Sequence, residues 1–204
     1  MPWVAQNIRS VLSAHHVGRE SVSVTSESLV CARGREGPCC RRVAMATAWV
    51  PSARVSSHAQ KLGVEMVSET PQTSAGAQAL WRKCVSWGVN PMPCRILAVK
   101  QGEVVGASYY ETGRGFLSAL AVDPGHRNKG LGRLLIAATV EDMAAKGVRS
   151  PNLHVLGSDM AKSNGKLKTL YESCGFKDQG GGNFSMDRCP ADLDAWMTRI
   201  LQSA

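Results

Sequence analysis

The chain has 204 residues, which suits one ordinary domain with room for a tail. Hydrophobic residues make up 44% and charged residues 20%, close to the globular average, so collagen, coiled coil and disorder along the whole length are excluded. The net charge of +8 leaves nucleic acid, a membrane surface or an anionic ligand open as partners, and only its location can choose among them. No apolar run of about 18 residues occurs, so no membrane-spanning helix is expected. Met1 to Leu12 lack a basic start followed by an unbroken apolar core, so a secretory signal is not expected either. Seven cysteines (Cys31, Cys39, Cys40, Cys84, Cys94, Cys174 and Cys189) are odd in number and irregular in spacing. No CxxC pair is present, so free thiols in a reducing intracellular compartment are expected, with no metal site. The cytoplasm is favoured over an organelle.

Residues 1–60 hold seven Arg, no Lys, three acids and nine Ser. Trp3, Val4, Ile8, Val11 and Leu12 fall at helical spacing, and 33–38 is loop chemistry. Such a stretch resembles a transit peptide, but a plain extension without a core is preferred. A basic nucleic-acid arm is disfavoured, because its Arg are scattered and aromatics beyond Trp3 are lacking. The expected organisation is an extension over 1–60, disordered or targeting, a domain over 61–190, and a C-terminal amphipathic helix over 191–204.

From residue 61 the pattern becomes regular. Val64–Val67 is a short strand. Ala75–Trp87 is a helix with Leu80, Trp81, Cys84 and Val85 inward, broken by Asn90–Pro93. Ile96–Val99 and Val104–Tyr110 form a hairpin around Lys100-Gln101-Gly102, and Phe116–Val122 is the next strand, ended by Asp123-Pro124. Leu131, Leu134, Leu135 and Ala138 recur at i, i+3, i+4 and i+7, with Arg133, Glu141 and Asp142 outside that face and Gly147 closing the helix. Leu153–Leu156 is a strand, and Leu167, Leu170, Tyr171 and Cys174 mark a second helix ending at Gly175. Phe176-Lys177 and Asn183–Met186 flank a triple-glycine turn. Leu193, Trp196, Met197, Ile200 and Leu201 line the last helix. Hairpins followed by strand–helix–strand–helix–strand predict an α+β fold with at least one parallel crossover.

The chemistry gathers in Val122-Asp123-Pro124-Gly125-His126-Arg127-Asn128-Lys129-Gly130-Leu131-Gly132-Arg133. A strand runs into a glycine-rich loop that opens a helix, and helix N-termini offer unpaired N–H groups and a positive dipole end to phosphates. Gly130 and Gly132 permit close approach of a ligand to the backbone. Arg127, Lys129 and Arg133 add three cations, each worth roughly 4 kcal/mol toward a phosphate charge at 4 Å and an effective dielectric near 20, before desolvation. A pyrophosphate is the expected ligand. The loop is neither GxxxxGK[ST] nor GxGxxG, which disfavours nucleotide triphosphates and dinucleotides.

Arg127-Asn128-Lys129-Gly130-Leu131-Gly132 matches the RxxGxG signature of the GNAT superfamily of acyl-CoA N-acyltransferases, and Asn164–Phe176 (NGKLKTLYESCGF) resembles that family's later helix. The resemblance covers roughly residues 62–189. It implies a three-layer fold: a mixed, mostly antiparallel sheet flanked by helices, with a splayed parallel pair holding the cofactor. It implies acetyl-CoA as acyl donor, without a metal. Leu120 and Val122 would pair with the pantetheine arm, Arg127, Lys129, Gly130, Leu131, Gly132 and Arg133 would hold the diphosphate, and Asn164 would touch the arm. Tyr171 would protonate the departing thiolate, as a phenol of pKa about 10 facing a thiol of about 8.5. A backbone N–H near Leu120 would polarise the thioester carbonyl. Each residue has a plainer reading: Tyr171 as core, Asn164 as a helix cap, the cations as solvated charges.

Two departures stand out. Many relatives carry Glu or Asp near position 118, where this chain has Ser118, so Glu111 is the leading base candidate, ahead of Tyr109, Tyr110 and a His154 read as lying on a sheet face without a role. The stretch Gly157–Ser163 is longer than usual in the family, which unsettles the placement of Asn164, and Asp159 within it is a weak acceptor-contact candidate. The expected activity is N-acetylation of a small-molecule or peptide amine by direct attack, with no acyl-enzyme. The acceptor, set by residues around 74–94, is not readable. The oligomeric state is open, a dimer included. A non-catalytic acyl-CoA-binding or regulatory module is the alternative. Nucleic-acid binding is disfavoured, because part of the domain's excess positive charge is already assigned to the phosphate loop.

Overall fold

Apolar runs along Cys94–Lys100 (β2), Glu103–Glu111 (β3) and Phe116–Val122 (β4), buried on both faces, build the antiparallel centre of a seven-stranded sheet. The computed structural model describes residues 49–84 and 94–202, which belong to one unit. The expected segment at Trp3–Leu12, the targeting role of the N-terminus, Val85 and the break at Asn90–Pro93 lie outside the described residues. Glu65–Ser68 (β1) borders β2, and Asn152–His154 (β5), Lys177–Gly180 (β6) and Asn183–Ser185 (β7) complete the order β1-β2-β3-β4-β5-β7-β6. β4 and β5 are parallel and every other neighbouring pair is antiparallel. Helices flank this mixed sheet, as expected.

Leu131–Ala145 (α3) lies along β3 through three successive contacts. A Cβ on Gly106 would stand 2.9 Å from Leu135 Cδ1, so a glycine lets helix and strand touch. Two residues on, Ser108 Oγ donates to Thr139 Oγ1 at 2.7 Å, because the Thr139 hydroxyl itself donates to Leu135 O at 2.8 Å. Two further on, Tyr110 Oη donates to Asp142 Oδ2 at 2.6 Å, an oxygen that also accepts from Lys146 Nζ at 2.6 Å. Asp142, expected outside the helix's apolar face, is therefore buried at 4% exposure. A buried carboxylate needs partners, and the tyrosine and lysine supply them.

Pro71–Cys84 (α2) covers the opposite face of β3 and β4, where Trp81 meets Tyr109 edge-on at 4.8 Å and Ala77 and Leu80 pack with Ala107 and Ala121. It starts four residues before the expected Ala75. Pro71 suits a first helical position, and Thr70 and Thr73 exchange hydroxyl–N–H bonds of 3.3 and 2.9 Å around it. Ala53–Leu62 (α1) crosses the expected boundary at 61, with Ser52 as cap and Gly63 closing it at φ +65°. Val55 and Ala59 are buried in the same core as α3 and Leu193–Gln202 (α6), so both ends of the expected domain extend into one unit. The stretch read as a long connection is helix, Gly157–Lys162 (α4), ahead of Lys166–Ser173 (α5).

Tyr110→Phe should lower stability by about 1–2 kcal/mol in urea denaturation, and Asp142→Ala by more, since it strands the phenol in the core. Equal midpoints for wild type and Tyr110→Phe would show that the bond contributes nothing.

Candidate active site

The β4–β5 pairing consists of Phe116↔Asn152 and Leu117↔Leu153 and then stops. At the same point the β3–β4 register slips, from Tyr109↔Ala119 to Tyr110↔Leu117, which makes Ser118 the extra residue of a bulge. A bulge bends its strand and increases its twist, which carries the rest of β4 away from β5. Asp123 N–H donates to Val105 O at 2.9 Å, toward β3. Alternation along the strand then turns Ala121 and Ala119 to β3 as well and leaves the peptide groups of Leu120 and Val122 facing the opened gap. Both expected backbone positions are thus placed on that edge. The Val122 carbonyl is already engaged, by Arg127 Nε at 3.0 Å and Cys84 Sγ at 3.5 Å, so Val122 offers its N–H.

At the open end of the gap, Asp123 accepts from Gly125 N at 2.8 Å and shapes a 3-10 turn at Pro124–His126. Asn128 then takes φ +59° and Gly130 φ +83°, and α3 begins. Gly130 is the N-cap and has no side chain to satisfy the first turn. The first N–H groups of α3 therefore face outward with the helix dipole behind them, a setting suited to a multiply charged anion. Arg127 reaches back to Val122 O through Nε at 3.0 Å, and Lys129 Nζ donates to Gly125 O at 2.9 Å. Arg133 Nε approaches Ser173 Oγ at 3.4 Å. A Cβ on Gly132 would lie 3.6 Å from Leu170, so α5 stands directly beside this helix end.

Tyr171, on α5, is 6% exposed and packs against Phe184 at 5.5 Å and Phe176 at 6.1 Å between ring centres. Phe184 pairs with Leu153, the last β5 residue that β4 still contacts. Tyr171 therefore stands near the vertex of the gap, on the α3 side. Burial pushes its phenol above the ordinary range, with Cys174 and Asp159 adding to the rise. Asn164 does not cap α5: Gly165 is the cap, and Asn164 precedes it at φ +48°, exposed. Its amide is left for a ligand.

Glu111 ends β3 opposite Phe116 and pairs with Arg114 at 3.7 Å, one strand away from the vertex. His154 follows Leu153 directly and so enters the gap. Leu153 is buried on the α3 side, so alternation puts His154 on the other face, where it is exposed. Asn183 on β7 fixes its tautomer. Asn183 Nδ2 donates to Gly180 O at 3.1 Å, so its Oδ1 is the acceptor 3.0 Å from His154 Nδ1. Nδ1 is therefore the donor in this bond. Sequence reading set this histidine aside, because alternation with Leu153 and Val155 is what any half-buried strand shows. The asparagine after the triple glycine was the available signal. Burial pushes the Cys174 thiol up to about 11 and raises Cys84 and Cys189 as well, so none of these three is activated.

No curated protein matches the chain in sequence. Among solved structures, it is similar to the ribosomal-protein-S18-alanine N-acetyltransferase of Escherichia coli, at 17% identity and TM-score 0.47, covering 60% of this chain and 89% of that one. It is similar to a GNAT family N-acetyltransferase of Escherichia coli in complex with CoA, at 20% identity and TM-score 0.47, covering 64% and 83%. A GNAT family acetyltransferase of Staphylococcus aureus aligns at 10% identity and TM-score 0.48, covering 62% and 98%. The family model described as acetyltransferase (GNAT) domain matches residues 93–178, the segment that contains the bulge, the glycine loop, the start of α3, His154 and Tyr171. Residues 93–178 are thus similar to a GNAT acetyltransferase domain.

Proposed function

We propose that this protein transfers an acetyl group from acetyl-CoA to a primary amine, on a small molecule or a peptide, by direct attack. The observation that carries this reading is the gap between β4 and β5, whose open end meets the uncapped N-terminus of α3. A diphosphate fits the helix end, with Gly130–Arg133 amides and the cations Arg127, Lys129 and Arg133 around it. A thioester arm fits as a strand along Leu120 and Val122, with Asn164 reaching the arm. The Leu120 N–H lies where it can polarise the thioester carbonyl.

The two proton carriers stand on opposite faces of the sheet. His154 faces the side covered elsewhere by α2, and Tyr171 the side of α3. A lysine-like amine costs about 4.6 kcal/mol to deprotonate at pH 7, so a base beside the incoming acceptor is required. His154 Nε2 can take that proton, with Asn183 holding the ring by its Nδ1–H. Glu111 is the second candidate, but it already shares its carboxylate with Arg114. Tyr171 can donate to the leaving sulfur. Its raised pKa keeps it protonated across the working range.

Tyr171→Phe should lower kcat by about 10- to 100-fold with acetyl-CoA binding retained, measured by free-thiol release and titration calorimetry. Unchanged turnover would remove Tyr171 from the reaction. His154→Gln should lower kcat/KM by about 100-fold, and Glu111→Gln by much less; the reverse order would return the base to Glu111. Because burial raises the Tyr171 phenol, wild-type activity should show no alkaline loss from its ionisation below about pH 10. CoA binding without thiol release across small-amine and peptide panels would instead favour a binding module.

A further inference from the structure

The end of α2 holds the cofactor turn from outside it. Lys83 Nζ contacts Asp123 Oδ2 at 2.5 Å, while Asp123 Oδ1 accepts the Gly125 N–H at 2.8 Å and lies 3.6 Å from His126 Nδ1. One residue later, Cys84 Sγ donates to the Val122 carbonyl that Arg127 also reaches. Two consecutive residues of α2 thus grip two consecutive residues at the end of β4. The Lys83 side chain is 58% exposed but the Asp123 side chain only 18%. The Lys83 ammonium, then the Gly125 amide, hold the Asp123 carboxyl below the ordinary carboxylate range.

Exposed ion pairs by themselves contribute little. This one differs in where it stands. Asp123 is a fixed anion at the mouth of a site for anions, eight residues before Leu131, the first residue of α3. Unneutralised, its charge would oppose a diphosphate there, in a cleft that focuses field. The same side chain shapes the turn through the oxygen that accepts the Gly125 N–H.

We propose that Lys83 is a positioning residue for the coenzyme: it clamps Asp123 in its turn-shaping pose and cancels its charge at the diphosphate site. α2 and the cofactor turn are then fastened as one body, so the helix that covers the acceptor face of β3 and β4 is tied to the occupancy of the gap. This rests on the acetyl-CoA reading above.

The test compares CoA affinity, by titration calorimetry, and acetyl-CoA kinetics in wild type, Lys83→Met, Lys83→Arg, Asp123→Asn and the double variant Lys83→Met/Asp123→Asn. Lys83→Met should weaken CoA binding and raise the acetyl-CoA KM by about 3- to 10-fold, with kcat at saturation within about twofold of wild type. Lys83→Arg should restore affinity. Asparagine keeps an oxygen for the Gly125 N–H and carries no charge, so Lys83→Met should cost little further in the Asp123→Asn background. Added salt should narrow the difference between wild type and Lys83→Met. Equal CoA affinity in wild type and Lys83→Met would overturn the clamp. An equal loss in both backgrounds would overturn its charge-cancelling role. Wild-type protein that binds no CoA would instead overturn the acetyl-CoA reading itself.

Discussion

A single backbone event governs the site: β4 carries one residue more than β3 can match. Ser118 is that residue. A strand with an extra residue must bend, and β4 bends away from β5 just where their pairing ends at Leu117↔Leu153. Unpaired peptide groups inside a sheet are expensive unless something bonds them. Leu120 and Val122 therefore present a strand edge in the middle of the domain, where a ligand with amide groups can add as a strand. The opening is held rigid by its flanks. The ladder from Gly106 through Ser108 to Tyr110 fixes β3 on α3, and α2 fixes the other face through Trp81 and Tyr109.

The same ladder aligns the electrostatics. α3 runs with its N-terminus near Gly106 and Val122 and its Asp142 near Tyr110, so its positive end lies at the open end of the gap. The buried polar contacts of α3 thus set the registration that delivers a helix dipole to the mouth of the cleft. At the other end, β5 supplies His154 to one face and its neighbour β7 supplies Phe184, against which Tyr171 packs, to the other. His154 and Tyr171 are thereby separated by the thickness of the sheet.

Much of this was legible in the residues. Apolar runs bounded by turn residues located β2, β3 and β4, which bury side chains on both faces, and apolar residues at i, i+3, i+4 and i+7 located α3. The glycine loop was legible because Gly130 at φ +83° has few other reasons to stand at a helix start. The rest depended on tertiary partners. Asp142 reads as a surface charge until Tyr110 is placed across from it. α1 reads as part of a polar tail because Val55, Ala59 and Leu62 are a thin stripe among serines and bases, although Ser52 and Gly63 bracket it as caps. α4 is too short to show a period. The bulge left no mark in composition, and His154 gained meaning only when β7 brought Asn183 beside it.

The most direct measurement is a titration of isotope-labelled protein with CoA, followed by backbone amide resonances. The amides of Leu120, Val122 and Gly130–Arg133 should shift most, with Gly130–Arg133 also responding to inorganic pyrophosphate alone. Saturable CoA binding that leaves those amides unmoved, or no binding at millimolar CoA, would contradict a cofactor seated between the parted strands.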